Sequence, residues 1–462
     1  MTLAERDVLG LFLATAAAVL AGMLLFDPSS LIAVAAFPAV CLGIALAWGI
    51  ARGNRVAILL HLFVAIFLVQ AVFRIRDYQD KDVDFQVILK IVIWMTVAFA
   101  ALIHARQWLR ILLIPSNFPW ILFLLWISAS TVVSPAPAYT ATSVFTVVAC
   151  VLFSAYLFSS FGEVEIFATI VVAIVLFCII SIAVYFAIPE FGHYVYWVNE
   201  ERFVSPRLAG IAGSANNMAL IAAFSLVVVG LYAREFHRIN IFFAPLAGLI
   251  SLIALLMTNS RGPLAGALAI LFIVYMFRWR RLYAAIALFS AGLLALAVIL
   301  PKGEAFLFRM VSRSGDIGEI TSFTGRTEIW HAVLKLAAAE PWMGYGYASS
   351  VFVLPQHASE VGFATSHAHN VFLQLLLTTG VIGVALFVIS YIAILARAAV
   401  QRDRIVFAML LFVLFNGITE SSGFTTLANI CTFAFAIAVT IPPLAKNRKV
   451  HENHFAYQRG FS

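Results

Sequence analysis

The chain has 462 residues, of which 63% are hydrophobic and 11% are charged. Ordinary soluble domains are roughly 45–50% apolar and about 25% charged, and so few polar side chains could not cover a soluble core of this size. The composition therefore excludes a soluble globular enzyme, a disordered protein and a secreted disulfide scaffold. It predicts an all-α, polytopic integral membrane protein with about 12–14 transmembrane helices of about 20 residues each.

Fourteen apolar runs predict these spans, and we expect the first to be a retained span rather than a cleaved signal peptide. They cover residues 8–26, 31–50, 57–73, 85–103, 118–133, 141–161, 164–187, 209–232, 241–258, 262–277, 282–300, 370–396, 405–419 and 424–443. All four cysteines lie inside apolar runs. This position is typical of small buried side chains and not of a redox or metal site.

The distribution of basic residues predicts the orientation. If the N-terminus is cytoplasmic, the inner segments hold 17 of the 29 Lys and Arg and the short outer loops hold six. Inner loops of membrane proteins carry the excess of Lys and Arg, so both termini are predicted to be cytoplasmic. The net charge of +7 follows from this bias. Because the basic residues are dispersed over many loops, they do not indicate nucleic acid binding.

One long connection divides the chain. It covers residues 301–369, and so long a segment between spans is usually functional or disordered. We expect a first transmembrane bundle, an ordered subdomain on the outer face, the last transmembrane helices and a cytoplasmic tail. These four parts cover residues 1–300, 301–369, 370–445 and 446–462.

The long loop contains the segment TGRTEIWHAVLKLAAAEPW, in which Ile329, Val333, Leu334 and Leu336 have helical spacing. Such spacing predicts an amphipathic helix. Thr324 is a candidate N-cap for it, and Pro341 is expected to end it.

The rare polar residues near the apolar zone are the candidates for function. Arg207 is predicted at the outer end of a span, and Asn216 and Asn217 two to three turns further into it. The paired asparagines are equally consistent with hydrogen bonds between helices and with ligand binding.

Two further arginines are predicted on the outer face. Arg261 lies between two spans joined by almost no loop, where it could extend to the lipid headgroups or bind an anion. Arg326 is predicted in the first turn of the loop helix, where helix N-termini favour anions. The alternative for Arg326 is a surface ion pair with Glu328 or Glu340.

The outer mouth of the following span carries His367, His369 and Asn370, and Glu420 is predicted in the last outer turn. A single histidine in such a place is more often a structural hydrogen-bond partner than a catalyst, and Glu420 alone would be an ordinary turn carboxylate. Lys90, near the middle of a predicted span, is expected to reach the headgroups or to pair with a carboxylate.

These candidate residues are informative as a group because they are predicted on the same, outer side of the membrane. Arginine is the preferred partner of phosphate oxygens, and a histidine beside a bound pyrophosphate could accept a proton from an attacking hydroxyl. The sequence has no P-loop and no dinucleotide-binding glycine fingerprint. The residues therefore suggest a pyrophosphate-binding site on the predicted outer face.

Several motifs, in order, resemble the O-antigen ligase and Wzy-type polymerase superfamily. They are RLAGIAGSANN, the S-R-G of TNSRG around Arg261, GRTEIW with Arg326 and Trp330, EPWMGYGY, and HAHNVFLQLLLTTGVIG with His369 and Asn370. The similarity covers about residues 205–425, and the sequences of these motifs most resemble the ExoQ-like exopolysaccharide polymerase branch.

This resemblance implies an inverting GT-C-type glycosyltransferase of the bacterial inner membrane that uses no metal or other cofactor, with its active site facing the periplasm. The implied donor is a polyprenyl-pyrophosphate-linked oligosaccharide, and the acceptor is a glycan or a lipid-linked glycan. The implied catalytic residues are His369, Arg261 and Arg326. The implied substrate-binding residues are Arg207, Asn216, Asn217, Asn370, Glu420, His367 and Trp330. Membrane lipids and a chain-length regulator are the expected further partners.

Two alternatives stay open. An O-antigen ligase would use the same donor and transfer the glycan to lipid A-core. A flippase or secondary transporter could also have about fourteen spans, but it should show ionisable sites near the bilayer midplane and often repeated halves. Here the polar residues gather at one predicted face.

Overall fold

The computed structural model describes residues 48–49, 52–72, 85–194, 206–276, 326–358, 365–420, 423–424 and 427–442. Helices dominate these segments. In chain order they are α1 Arg55–Gln70, α2 Phe85–Ile103, α3 Ala105–Leu112, α4 Phe118–Ala129, α5 Pro137–Ser160, α6 Glu163–Ala187, α7 Pro189–Gly192, α8 Ala215–Leu231, α9 Ala233–Ile239, α10 Phe243–Met257, α11 Arg261–Met276, α12 Arg326–Ala339, α13 Ser350–Gln356, α14 Val371–Gln401, α15 Arg404–Thr419 and α16 Ile430–Thr440.

Shorter elements join these helices. Single 3-10 turns cover Pro115–Asn117, Ser130–Val133 and Gly210–Ala212. One antiparallel pair of two-residue strands, β1 His193–Tyr194 and β2 Arg207–Leu208, was not predicted from the all-helical pattern.

The predicted spans agree with the helices wherever the structure describes them. The runs 8–26 and 282–300, and all but two residues of 31–50, lie outside the described residues, and each of the other eleven contains a helix. Four of the described helical segments are long and apolar enough to cross a membrane, or five if the pair α8 and α9, bent by 80°, is one span. The all-α polytopic class is therefore confirmed, and the number of fourteen spans stays a prediction.

The core of the bundle lies around α8, whose residues are almost all buried. This helix packs against α6, α10 and α11. A second centre joins α4, α14 and α16 through the rings of Trp120, Phe123, Phe387, Phe424 and Phe435. The ring centroids of Trp120 and Phe435 are 4.7 Å apart. Each such aromatic pair adds about 0.5–1.5 kcal/mol beyond its buried area.

The start of α8 corrects one prediction. The predicted span begins at residue 209, but Gly213 has a left-handed φ of 71° and the side chain of Ser214 accepts a hydrogen bond from the backbone of Asn217. A side-chain cap of this kind fixes a helix start. Asn216 and Asn217 therefore lie in the first turn of α8, at its end, and not two to three turns inside it.

The predicted loop helix exists as α12 and ends at Ala339, before Pro341. Ile329, Val333 and Leu336 are buried as predicted, but Leu334 is 49% exposed. The assignment of Leu334 to the buried face was wrong because it is five residues after Ile329, and only neighbours three, four or seven residues apart share a helix face. Thr324, the predicted N-cap, lies outside the described residues.

Helix α14 is interrupted at Gly380, which has a φ of 67° and a ψ of −173°. The interruption leaves backbone groups of α14 without partners in the helix, and the segment after α12 supplies hydrogen-bond partners for them. The backbone N–H of Val381 donates to the carbonyl of Pro341 at 2.8 Å, and the N–H of Tyr345 donates to the carbonyl of Leu377 at 3.0 Å. Broken helices at membrane depth require such replacement partners. The EPWMGYGY segment, which contains Pro341 and Tyr345, is therefore a backbone clamp on α14.

Replacing Gly380 should destabilise this clamp. An added Cβ would collide with the carbonyl group of Trp342, and the backbone conformation is one that only glycine adopts at low cost. We expect Gly380→Ala to lower the free energy of unfolding by about 3 kcal/mol, combining strain and overpacking. Thermal unfolding of the purified protein in detergent measures the change.

Gly248→Ala is the matched control. Its added Cβ meets only Val229 at an ordinary 3.6 Å, and alanine is favoured over glycine in a helix by about 1 kcal/mol. A melting temperature of Gly380→Ala equal to that of Gly248→Ala would contradict the role of the break.

Candidate active site

Glu420 is the centre of the site. It follows α15 directly, and its side chain is 12% exposed. Its Oε1 accepts hydrogen bonds from the guanidinium of Arg326 at 2.8 Å and from the amide of Asn216 at 2.9 Å. Its Oε2 lies 3.0 Å from Nδ1 of His369. These four residues, together with Arg207, which contacts Asn216, are called the Glu420 network below.

The surroundings of Glu420 hold it ionised. Burial alone would raise the pKa of this carboxyl group, but its hydrogen bonds and charge interactions with His369 and Arg326 outweigh burial, so that the pKa is lowered below its ordinary value. A carboxylate with several charge-assisted donors is expected to behave in this way. At neutral pH Glu420 is therefore an anion that orients both neighbours.

Arg207 stabilises the Glu420 network from a buried position next to Asn216. It is only 4% exposed, and it donates to the carbonyl of Thr258 at 2.7 Å, to Oγ of Ser260 at 2.6 Å and to Oδ1 of Asn216 at 3.0 Å. The hydroxyl of Ser260 also donates to Oδ1 of Asn216, at 3.1 Å. Because the amide oxygen of Asn216 is held by two donors, its NH2 group faces Glu420.

His369 has a left-handed φ of 50°, a conformation that only a few per cent of non-glycine residues adopt. The residues around it fix this position. The indole of Trp330 donates to the carbonyl of Ala368 at 3.0 Å. The side chain of Asn370 caps α14 by accepting from two backbone N–H groups of its first turn, and its amide donates to the carbonyl of Ile418. The histidine is thus placed beside the end of α15.

The other predicted residues lie outside the Glu420 network. Arg261 begins α11, directly after Ser260, with an exposed side chain that makes no hydrogen bond to another residue of the described segments. His367 is half-buried, and its carbonyl accepts from Thr365 at 3.0 Å. Asn217 lines a separate cavity.

Some contacts of the site were missed by the sequence interpretation. The partner of Arg326 is Glu420, 94 residues further along the chain, a pairing that spacing could not reveal. Gln374 is fully buried in α14, accepts from the backbone N–H of Ala368 and donates to Ser350. A glutamine inside an apolar span was a visible signal for such a buried partner.

The described part of the chain thus forms an all-α polytopic membrane protein with a polar network at the ends of its helices. Comparison with known proteins agrees with the motifs. Residues 246–388 match the O-antigen ligase family, a range that includes Arg261, Arg326 and His369.

A curated relative also matches. An O-antigen ligase from Pseudomonas aeruginosa is 27% identical over 175 residues, which cover 37% of this chain and 39% of the relative. The chain thus aligns with well under half of that protein. Together with the order of the motifs, these matches show that this part of the chain is similar to the O-antigen ligase family.

The lowered pKa of Glu420 predicts a pH-dependent contribution to stability. A carboxyl group whose folded pKa is below its ordinary value of 4.5 stabilises the fold above that value and ceases to do so as pH falls through the lowered pKa. We expect Glu420→Gln to be less stable than the wild type at pH 7 by about 2 kcal/mol, since charged hydrogen bonds are lost. The difference in melting temperature between the two proteins should therefore shrink as pH falls below 4.5 and through the lowered pKa. A gap that is constant with pH would contradict the ionised network.

Proposed function

We propose that the chain is a membrane glycosyltransferase that transfers or polymerises polyprenyl-pyrophosphate-linked glycan repeat units at the periplasmic face of the bacterial inner membrane. The observation that carries this proposal is the hydrogen bond between Nδ1 of His369 and Oε2 of Glu420 at 3.0 Å. The similarity to the O-antigen ligase family supports the reaction class, and the Glu420 network supports the assignment of residues to it.

The hydrogen bond to Glu420 selects the tautomer of His369. If Nδ1 carries the proton that Glu420 accepts, Nε2 of the neutral ring is the acceptor. The side chain of His369 is 32% exposed, so that a substrate hydroxyl could reach it. In the proposed step, the acceptor hydroxyl gives its proton to Nε2 while its oxygen attacks the anomeric carbon.

The arginines would receive the leaving group. As the new glycosidic bond forms, the bond between the anomeric carbon and the pyrophosphate oxygen breaks, and its electron pair stays on the pyrophosphate. Arg326, 24% exposed at the start of α12, and Arg261, exposed at the start of α11, could stabilise this charge. We assign Arg207 the role of positioning Asn216 and Glu420, because its donors are engaged inside the protein.

The proposed transfer reaction needs no nucleotide. A site at the periplasmic face has no access to cytoplasmic nucleotide sugars, and the pyrophosphate bond of the donor would supply the driving force. We further propose GT-C-type architecture, inversion at the anomeric carbon and no metal or cofactor, as the superfamily resemblance implies.

Transfer from a purified lipid-linked repeat unit tests these roles. We expect His369→Ala to lower turnover by about a hundredfold or more, as when a general base is removed. Arg261→Ala and Arg326→Ala should each cause a loss of about a hundredfold, as when one donor to the developing charge is removed. Product formation by the protein in detergent or nanodiscs is the measurement.

Two exposed residues serve as matched controls. His331→Ala removes an exposed histidine of α12, and Arg238→Ala removes an exposed arginine of α9. Both should retain wild-type turnover. Near-wild-type turnover of His369→Ala or Arg261→Ala would contradict the assignment.

The same assay separates polymerase from ligase. The matched family and the curated relative are both described as O-antigen ligase, which makes transfer to lipid A-core the second candidate function. A ladder of products in the absence of lipid A-core indicates the polymerase, and product only in its presence indicates the ligase. Uptake of the lipid-linked substrate by proteoliposomes without any glycosidic bond would instead favour a flippase.

A further inference from the structure

A second polar site lies beside the Glu420 network. A cavity of about 630 Å³ opens between the end of α1, the start of α2, the first turns of α5 and α8, and the residues before α16. We call it the Lys90 cavity. Its volume is within the range of about 300–1,000 Å³ that is usual for ligand sites.

The lining combines one charge with an apolar wall. Lys90 is the one ionisable Lys, Arg, Asp or Glu among the described lining residues, and Asn217 and Thr142 add polar groups. Most of the remaining lining is hydrophobic, including Val69, Ile91 and Leu220. An ionisable residue within a membrane helix is costly and typically marks a functional site.

The first turn of α8 connects this cavity with the network. Asn216 donates to Glu420, whereas Asn217, the next residue, lines the Lys90 cavity. Successive residues on a helix differ by about 100° in direction, so one helix turn presents an amide to each site. The two sites are therefore neighbours that meet at different faces of the first turn of α8.

Resting on the proposed function, we propose that the Lys90 cavity binds the phosphate headgroup of a second polyprenyl-linked glycan, the acceptor of the transfer. The ammonium group of Lys90 would pair with the phosphate, and the apolar wall would hold the adjoining lipid chain. The donor would occupy the side of Glu420 and the acceptor the side of Lys90. A polymerase requires such a pair of lipid-linked substrates, close together but separate.

Lipid binding by the full-length protein in nanodiscs tests this proposal, with undecaprenyl phosphate as the probe and native mass spectrometry as the readout. The wild type should bind two molecules. Lys90→Met should weaken one of the two by about tenfold or more, as expected for the loss of a charge-assisted contact, and Lys90→Arg should restore it. Arg238→Met, a change at an exposed residue outside the cavity, should leave both unchanged.

Kinetics and competition complete the test. Lys90→Met should raise the KM for the lipid-linked acceptor by about tenfold and change kcat little, because only binding is affected. Unchanged lipid binding and KM in a folded Lys90→Met variant would overturn the acceptor site. Displacement of both bound lipids by phosphatidylglycerol at equal concentration would also overturn it, because the cavity would then be a general phospholipid site. Absence of wild-type turnover would instead overturn the proposed function, and the acceptor assignment with it.

Discussion

The carboxylate of Glu420 is the interaction on which the site depends. A largely buried anion is costly unless donors surround it, and here each oxygen has its own partners: Arg326 and Asn216 on one, His369 on the other. These residues come from four separate parts of the chain. By satisfying one charge, the fold brings the start of α12, the start of α8, the mouth of α14 and the end of α15 together.

The backbone around Gly380 holds this geometry in place. The interruption of α14 lies three turns from His369, and the segment that begins at Pro341 fills it with two hydrogen bonds. The same segment follows directly after α12, which carries Arg326 and Trp330. The clamp therefore fixes the loop helix against the span that begins beside His369, and glycines are needed where the two backbones meet.

Hydropathy predicted the helices well because apolar length is a strong local signal in a bilayer. Predictions that depended on one or two residues were weaker. The start of α8 was placed six residues early, because the left-handed Gly213 and the N-cap Ser214 lie inside the apolar run and the helix begins only after them. The spacing grouped Leu334 with the buried Ile329, Val333 and Leu336, although Leu334 lies on another face of α12.

The site residues were predictable as a group because the predicted topology assigns most of the basic residues to inner segments, which leaves few on the outer face. Arg326, His369 and Glu420 stood out as ionisable residues on one predicted face, and the structure places them in contact. Their pairing was not predictable, because contacts between residues 94 or 51 positions apart leave no periodic pattern. The burial of Arg207 behind Asn216 was also hidden, since a buried and an exposed arginine look alike in sequence.

We propose that Glu420 acts through His369, and a double-mutant cycle on the transfer rate measures this coupling. The rates of Glu420→Gln, His369→Ala and the double variant would be compared with the wild type under identical conditions. Residues that act as one unit are strongly non-additive, so the double variant should be no slower than the slower single variant. A loss in the double variant equal to the product of the two single losses would show that Glu420 and His369 act independently and would contradict this role of Glu420.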